Sequence, residues 1–302
     1  MANEILTAGI ADLKTTEVMS SIFLLLLAER EDILGHPALV YAGAAEGSNK
    51  VRVPQIGLGG YDVLAAGTEG TALANTALTD ASTDITVAWY GKSYEQSDLA
   101  RMVAANGLLD PEMFAMDAAV SIAQTLLGLV AGLMDSFSTV VGSTGVDATH
   151  QNFIDAITSL EINKVGGPYL SLLHPRQWGD LRTDALSLGG AAQYRTDAQG
   201  VVAAGTGQFA GQLYGVDVFK TSRVDTMNAG ADYGGGMIGR GAVAWADAMI
   251  PNDGDPNIIS MGRGALERVR TGKAALTAYV SHAYLGVIEC IDAAGVTIQT
   301  DA

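Results

Sequence analysis

Ser171 and His174 stand three residues apart in Tyr169-Leu170-Ser171-Leu172-Leu173-His174-Pro175, a pairing that could set a nucleophile beside a base. A serine hydrolase of the α/β type lifts its serine on a GxSxG elbow, and none surrounds Ser171. On a strand, residues three apart also point to opposite faces. His174 therefore reads as a structural histidine. Gly234-Gly235-Gly236-Met237-Ile238-Gly239 matches the letters of a dinucleotide fingerprint. That site needs a strand before the glycines and a helix after them. Here a polar, glycine-rich stretch precedes, and Ala242 to Trp245 looks like strand, so a flexible loop entering a strand is expected. Asn252-Asp253-Gly254-Asp255-Pro256-Asn257 resembles a calcium loop. An EF-hand needs Gly at its sixth position and Glu at its twelfth; counted from Asp253 these are Ile258 and Gly264, so a turn is expected.

Arg263, Arg268 and Arg270 form a small basic cluster. Strand alternation puts Arg268 and Arg270 on one face, and carboxylates are their expected partners. The single Cys290 excludes an intrachain disulfide and any multi-cysteine zinc site. It reads as a small buried hydrophobe. The four histidines are too scattered to suggest a metal cluster. No catalytic, metal or cofactor-binding residue is assigned, and no cofactor is expected.

The elements around these residues are clearer than the chemistry. Tyr169 to Leu173 reads as a short buried strand halted at His174, because proline pushes the residue before it towards extended geometry. Pro175 suits the first turn of a helix, with Trp178 and Leu181 three apart on one face. Thr15 and Thr16 can cap a helix running to about Arg30, whose apolar block Val18, Met19 and Ile22 to Leu27 covers nearly its whole circumference. Gly35-His36-Pro37 ends it. Lys50 to Ile56 alternates as an edge strand, since it contains Pro54. A second strand is expected over Asp84 to Tyr94, with Ile85, Val87 and Trp89 on one face. The Gly-, Ala- and Thr-rich stretch Gly57 to Asp80 between them reads either as disordered or as part of a projecting hairpin that lies on a neighbour, since an isolated ribbon needs a partner surface to be ordered.

Ser97-Asp98 opens a short helix, and Asn106-Gly107 stops it. Asp110-Pro111-Glu112 then opens the longest helix: an N-cap, a proline at the first position and an acidic residue facing the dipole. Met116, Val120, Ala123, Leu127, Val130, Met134, Phe137 and Val141 continue one apolar stripe in steps of four and three. The stripe predicts a helix over 111–141, roughly 46 Å long. A further helix is expected near Gln151 to Glu161. Beyond it come short strands, among them Gln212 to Thr221 and Met237 to Ala248. A strand-rich close runs from Ile258 to Ile291, with a Thr271-Gly272 hairpin turn.

Composition sets the outer bounds. Charged residues are only 17% of the 302, too few to coat a free monomer well, so partners are expected to cover much of the surface. The 37 glycines, roughly 12% against about 7% on average, argue against a helical bundle. A net charge of −16 opposes direct binding to nucleic acid or to anionic membrane. The apolar run Ile22 to Ala28 is too short to span a bilayer. No basic segment precedes it as in a signal peptide, and the chain reads as cytosolic at synthesis.

Taken in order, the arm, the hairpin, the long helix, the strand-His-Pro-helix unit and "GQLYGVDVFKTSRV" (Gly211 to Val224) resemble the major capsid protein of tailed bacteriophages, the Hong Kong 97-type fold. The resemblance implies an α+β chain with an N-terminal arm (1–49), an extended loop hairpin (50–95) and a peripheral domain (96–164) whose spine helix is 111–141. An axial domain (165–253) and a return to the peripheral domain (254–302) would follow. It implies a structural protein, not an enzyme, that assembles with itself as pentamers and hexamers into an icosahedral virion head enclosing double-stranded DNA. Assembly would occur in the host cytoplasm, with portal and decoration proteins as further partners. Many members begin with a charged scaffolding segment; this chain reaches its arm almost at once, which implies a separate scaffolding protein. With so acidic a chain, the DNA would be confined rather than bound in a sequence-specific way. A bacterial encapsulin nanocompartment is the alternative on the same fold. A secreted surface-layer or adhesin module is a third reading, for which an export signal is expected and none is seen.

Overall fold

The computed structural model describes residues 33–45, 47–57, 79–103, 111–187, 209–248, 257–261 and 264–301. The expected arm helix, the hairpin tip over 58–78, the Asp110 cap, Arg263 and most of the 252–257 turn lie outside the described residues.

Four helices are described: α1 (Asp98–Val103), α2 (Pro111–Ala131), α3 (His150–Ile162) and α4 (Pro175–Ser187). One six-stranded sheet runs in the order β1 (Leu39–Ala44), β11 (Val243–Asp247), β14 (Leu276–Glu289), β13 (Gly264–Thr271), β12 (Ile258–Met261), with β4 (Ala88–Ser97) also paired to β14. A seven-stranded sheet runs β5 (Val140–Gly142), β15 (Gly295–Asp301), β10 (Asp232–Ile238), β6 (Leu170–Leu173), β8 (Val216–Lys220), β7 (Phe209–Leu213), with β9 (Thr226–Met227) paired to β10. β2 (Lys50–Gly57) and β3 (Thr79–Thr86) form a separate ribbon.

Strand alternation places the core. On β14 the buried residues Tyr279, Ala283 and Leu285 alternate with the more open Val280, His282 and Tyr284. The buried set meets Phe114, Ala118, Ile122 and Leu126 of α2, and the Phe114 and Tyr279 rings stack at 5.2 Å. Further along, Leu127, Val130 and Ala131 of α2 turn to a second core with Leu170, Leu172, Ile238, Val243 and Trp245. The long helix is thus shared between the two sheets. A third core lies under α3 and α4, where Phe153, Leu160, Trp178 and Leu181 cover Leu173, Val218, Met237, Val296 and Ile298. Each such side chain contributes roughly 1.5–3 kcal/mol on burial, more than a helix cap supplies.

Several expectations hold locally. α2 begins at Pro111, and α4 begins at Pro175 directly after a fully buried β6. The Ser97 side chain accepts from the Ala100 amide to open α1, and the helix expected near Gln151 to Glu161 is α3, which the structure shows capped by Thr149 through the Asn152 amide.

Others are corrected. The helix expected over 111–141 ends at Ala131. Gly132 still donates to the Gly128 carbonyl at 2.8 Å, but Leu133 and Met134 reach back only three residues. Those tighter turns keep Met134 and Phe137 buried in phase with the helix, so the apolar stripe runs on without one. The β-branched Val140 and Val141 then pair in parallel with β15. The single strand expected over Asp84 to Tyr94 breaks at Val87, whose amide donates to the Asn49 carbonyl. β3 stays in the ribbon while β4 crosses to β14, so the hairpin expected over 50–95 is shorter by the whole of β4.

Gln212 to Thr221 is two strands joined at Tyr214-Gly215, whose φ values of 51° and 79° make the two-residue hairpin turn that matches strand twist. Met237 to Ala248 is likewise two strands in different sheets. The glycines at 234–236 are not a flexible loop but the buried middle of β10. The sheets also cross the segment boundaries expected from the sequence, since β5 and β15 both join the sheet built on β6 and β8.

Candidate functional site

The strand-His-Pro-helix unit is built around a glutamine. Gln177, in the first turn of α4, is wholly buried. Its Oε1 accepts from the His174 amide at 3.0 Å, closing the turn that Pro175 begins. Its Nε2 donates towards the Ile298 carbonyl at 3.0 Å, the Thr300 hydroxyl at 2.8 Å and the Tyr233 carbonyl at 3.2 Å. One side chain therefore ties the end of β6 and the start of α4 to β10 and β15.

The glycines of β10 make room for this. A Cβ at Gly235 would overlap Gln177 Oε1, while one at Gly236 would lie 3.0 Å from the Met134 side chain and one at Gly234 2.7 Å from Asp135 Cβ. The triplet lets the helix end and the glutamine both close onto one strand.

Ser171 and His174 each bond to other groups. Ser171 is fully buried, and its hydroxyl donates to the Gly236 carbonyl at 3.2 Å. His174 Nδ1 accepts from the Arg176 amide at 3.2 Å, and its ring stacks on Tyr233 at 3.7 Å. Burial, with Arg176 adding to it, pushes the His174 imidazole towards its neutral form. The other histidines are equally engaged. His36, 8% exposed, accepts from the Ala38 amide and faces Asp217 at 3.0 Å, linking the chain before β1 to β8. His150 bridges the Tyr214 hydroxyl and the Leu181 carbonyl. His282 lies between Trp89 and Glu267.

Arg270 is paired with Asp98, as the sequence suggests for that face. Cys290 is only partly buried; burial pushes its thiol up. Among the described residues, no cluster of three or more His, Cys, Asp or Glu side chains is arranged to hold a metal ion, and no helix is long and apolar enough to cross a membrane.

Carboxylates divide into two groups with opposite responses to pH. Asp232 is held below the usual range by the Asn228 side chain, then by the Gly145 amide and the Gln299 and Thr144 side chains. Asp292 is held low by the Ser138 hydroxyl and amide. Both contribute stability that is present above the unfolded carboxylate value, about 3.9, and lost as pH falls through their lowered folded values.

Asp180 behaves in the opposite sense. Burial, then Asp147, pushes it up, and Asp301 adds to this; Arg176 and the Ala148 amide oppose it. Its Oδ2 is buried without a hydrogen bond. The stability linked to Asp180 is complete below about pH 3.9 and is lost as pH rises through its raised folded value. Asp180→Asn is therefore expected to melt higher than the parent at pH 7.5, with the gap closing towards pH 4. Thermal melts at the two pH values check this; a variant that melts lower at pH 7.5 contradicts it.

The outer surface carries large apolar side chains. Trp89 is 62% exposed, Leu99 70% and Ile162 73%. The ribbon β2–β3 hydrogen-bonds only within itself among the described strands, with Arg52 and Asp84 paired across it.

No protein-family model matches the chain, and none of the curated proteins does. Solved structures do match along nearly its whole length. A Mycobacterium phage Che8 structure is 15% identical, covers 99% of this chain and 98% of its own, and superposes with a TM-score of 0.61. The capsid structure of cyanophage P-SCSP1u is 12% identical over 99% of this chain and 91% of its own, with a TM-score of 0.59. The holo-SrpI encapsulin complex of Synechococcus elongatus is 12% identical over 98% and 92%, with a TM-score of 0.57. The fold is that of tailed-phage major capsid proteins, the Hong Kong 97 type, and it extends to an encapsulin shell.

Proposed function

We propose that this chain is the major capsid protein of a tailed phage, a non-enzymatic subunit that assembles with its own copies into a head enclosing double-stranded DNA. The observation that carries this reading is the end-to-end match to phage capsid structures, over 99% of this chain. The seven-stranded sheet with α3 and α4 then serves as the axial domain. The six-stranded sheet with α2 serves as the peripheral domain and its spine helix. The ribbon is the root of the extended loop, and residues 1–49 are the arm. Pentamers and hexamers of the subunit, a scaffolding protein and a portal are the partners this reading calls for, with the virion as destination.

An encapsulin-type compartment is the second reading, favoured by the SrpI superposition. Negative-stain microscopy of the purified protein, made with and without a scaffolding protein, tests both. Closed shells are expected. Shells that protect DNA from nuclease fit the phage head, whereas shells filled with a protein cargo and no DNA fit the compartment. A stable, well-folded monomer by sedimentation under every condition overturns both.

A further inference from the structure

Trp89, His282 and Glu267 form a diagonal line across three adjacent strands on the face of the six-stranded sheet turned away from α2. The register puts Gly91 of β4 opposite His282 of β14, and Ala265 of β13 opposite His282 on the other side. Trp89 is two residues before Gly91, and Glu267 is two residues after Ala265, so all three side chains share a face. A Cβ at Gly91 would sit 3.2 Å from the Trp89 indole and 3.0 Å from the Ser281 carbonyl. Glycine there leaves the seat in which the indole lies down towards the next strand. The indole and imidazole rings stack at 5.8 Å and 27°.

The hydrogen bonds along this line fix one protonation state. Trp89 Nε1–H is a donor only, and it reaches His282 Nδ1 at 3.1 Å. Nδ1 must then be the unprotonated nitrogen. Nε2 carries the hydrogen and donates to Glu267 Oε2 at 3.0 Å. The neutral imidazole uses both nitrogens. A protonated imidazole has two N–H groups, so the indole N–H would meet another donor while the Glu267 contact became an ion pair.

The charged groups nearby do not alter this opposition. Among the described residues, Glu267 is the charged side chain bonded to His282. On the opposite face, Lys92 pairs with Asp117 of α2. Arg268 stands opposite the buried Tyr279 and so shares that opposite face. Tyr284, next to Trp89 in register, packs into the core beside β3 and β11.

We propose that Trp89, His282 and Glu267 are a protonation switch: neutral His282 holds the indole flat on the sheet, and protonated His282 turns to Glu267 alone and lets the indole go. Trp89 is the one exposed tryptophan of three, since Trp178 is 7% and Trp245 2% exposed. The switch thus changes the shape of an open sheet face when the imidazole takes up a proton.

NMR of the full-length, unassembled subunit tests it. The His282 ring signals are identified by their loss in His282→Gln, and the indole N–H signals by nitrogen labelling of tryptophan. Between pH 8 and pH 5 the Trp89 N–H resonance is expected to move with the His282 ring titration. Trp89→Phe removes the competing donor and is expected to raise the His282 midpoint. Glu267→Gln removes the acceptor charge and is expected to lower it. A Trp89 N–H signal that stays fixed through the titration, or a midpoint that Trp89→Phe leaves in place, overturns the proposal. Unchanged melting temperatures confirm that the variants are folded.

Discussion

Gly142→Ala is expected to leave little or no soluble, folded subunit, while Gly145→Ala, three residues on, is well tolerated. Both glycines hold positive φ, 99° and 70° respectively. An L-residue with a side chain costs about 1–2 kcal/mol in such a conformation. At Gly145 nothing lies within 4 Å of an added Cβ, so that is the whole cost. At Gly142 the new carbon would overlap the backbone oxygen of Gln299, the residue with which Gly142 pairs in the parallel ladder. A backbone oxygen cannot rotate aside. β5 has to leave β15 or the ladder has to open, a loss of at least ~4 kcal/mol. Urea denaturation of the two variants is the comparison; similar midpoints contradict this account.

Gln177→Leu is the second large effect. Leucine fills a similar volume but leaves the His174 amide and the acceptors at Tyr233, Ile298 and Thr300 without their partner in a closed interior. Each buried group left unsatisfied costs about 1–3 kcal/mol, so a loss of ~3 kcal/mol is a conservative expectation. Gln177→Glu discriminates further. An ionised carboxylate would face those same acceptors with nothing to donate, which raises its folded pKa. Its stability is then fullest at low pH and falls as pH rises through that raised value. Melting of the Glu variant is expected to drop between pH 5 and pH 8, relative to the parent. A flat difference would mean that the glutamine does not hold these bonds.

The parts of the fold marked by proline were readable in the sequence. Pro111 and Pro175 each constrain one residue's backbone and remove a donor that a helix start does not need, so their effect is local. The end of α2 was not readable. Met134 and Phe137 stay in the apolar phase through three-residue turns, and only hydrogen bonds distinguish those turns from helix. The 234–236 strand was hidden for a different reason. Glycine carries no strand preference of its own, and what makes this segment a strand is the crowding of Gln177, Met134 and Asp135 against it. Gln177 itself left one trace: a polar residue four before Leu181, on the inward face that Trp178 and Leu181 mark. The His36–Asp217 link spans 181 residues and left none.

β14 has a mechanical consequence. It is 14 residues long, roughly 45 Å, and its neighbours β4, β13 and β11 are all antiparallel to it. Its hydrogen bonds lie across the strand. A pull along its axis therefore loads the ladder bonds together, in shear, and none yields until many do. A pull that peels β4 or β13 sideways meets the same bonds one after another. The subunit should resist stretching along this strand far more than it resists peeling across it. Load entering at the Thr271–Leu276 turn would be carried as tension to β11 and β1 at the far end of the sheet.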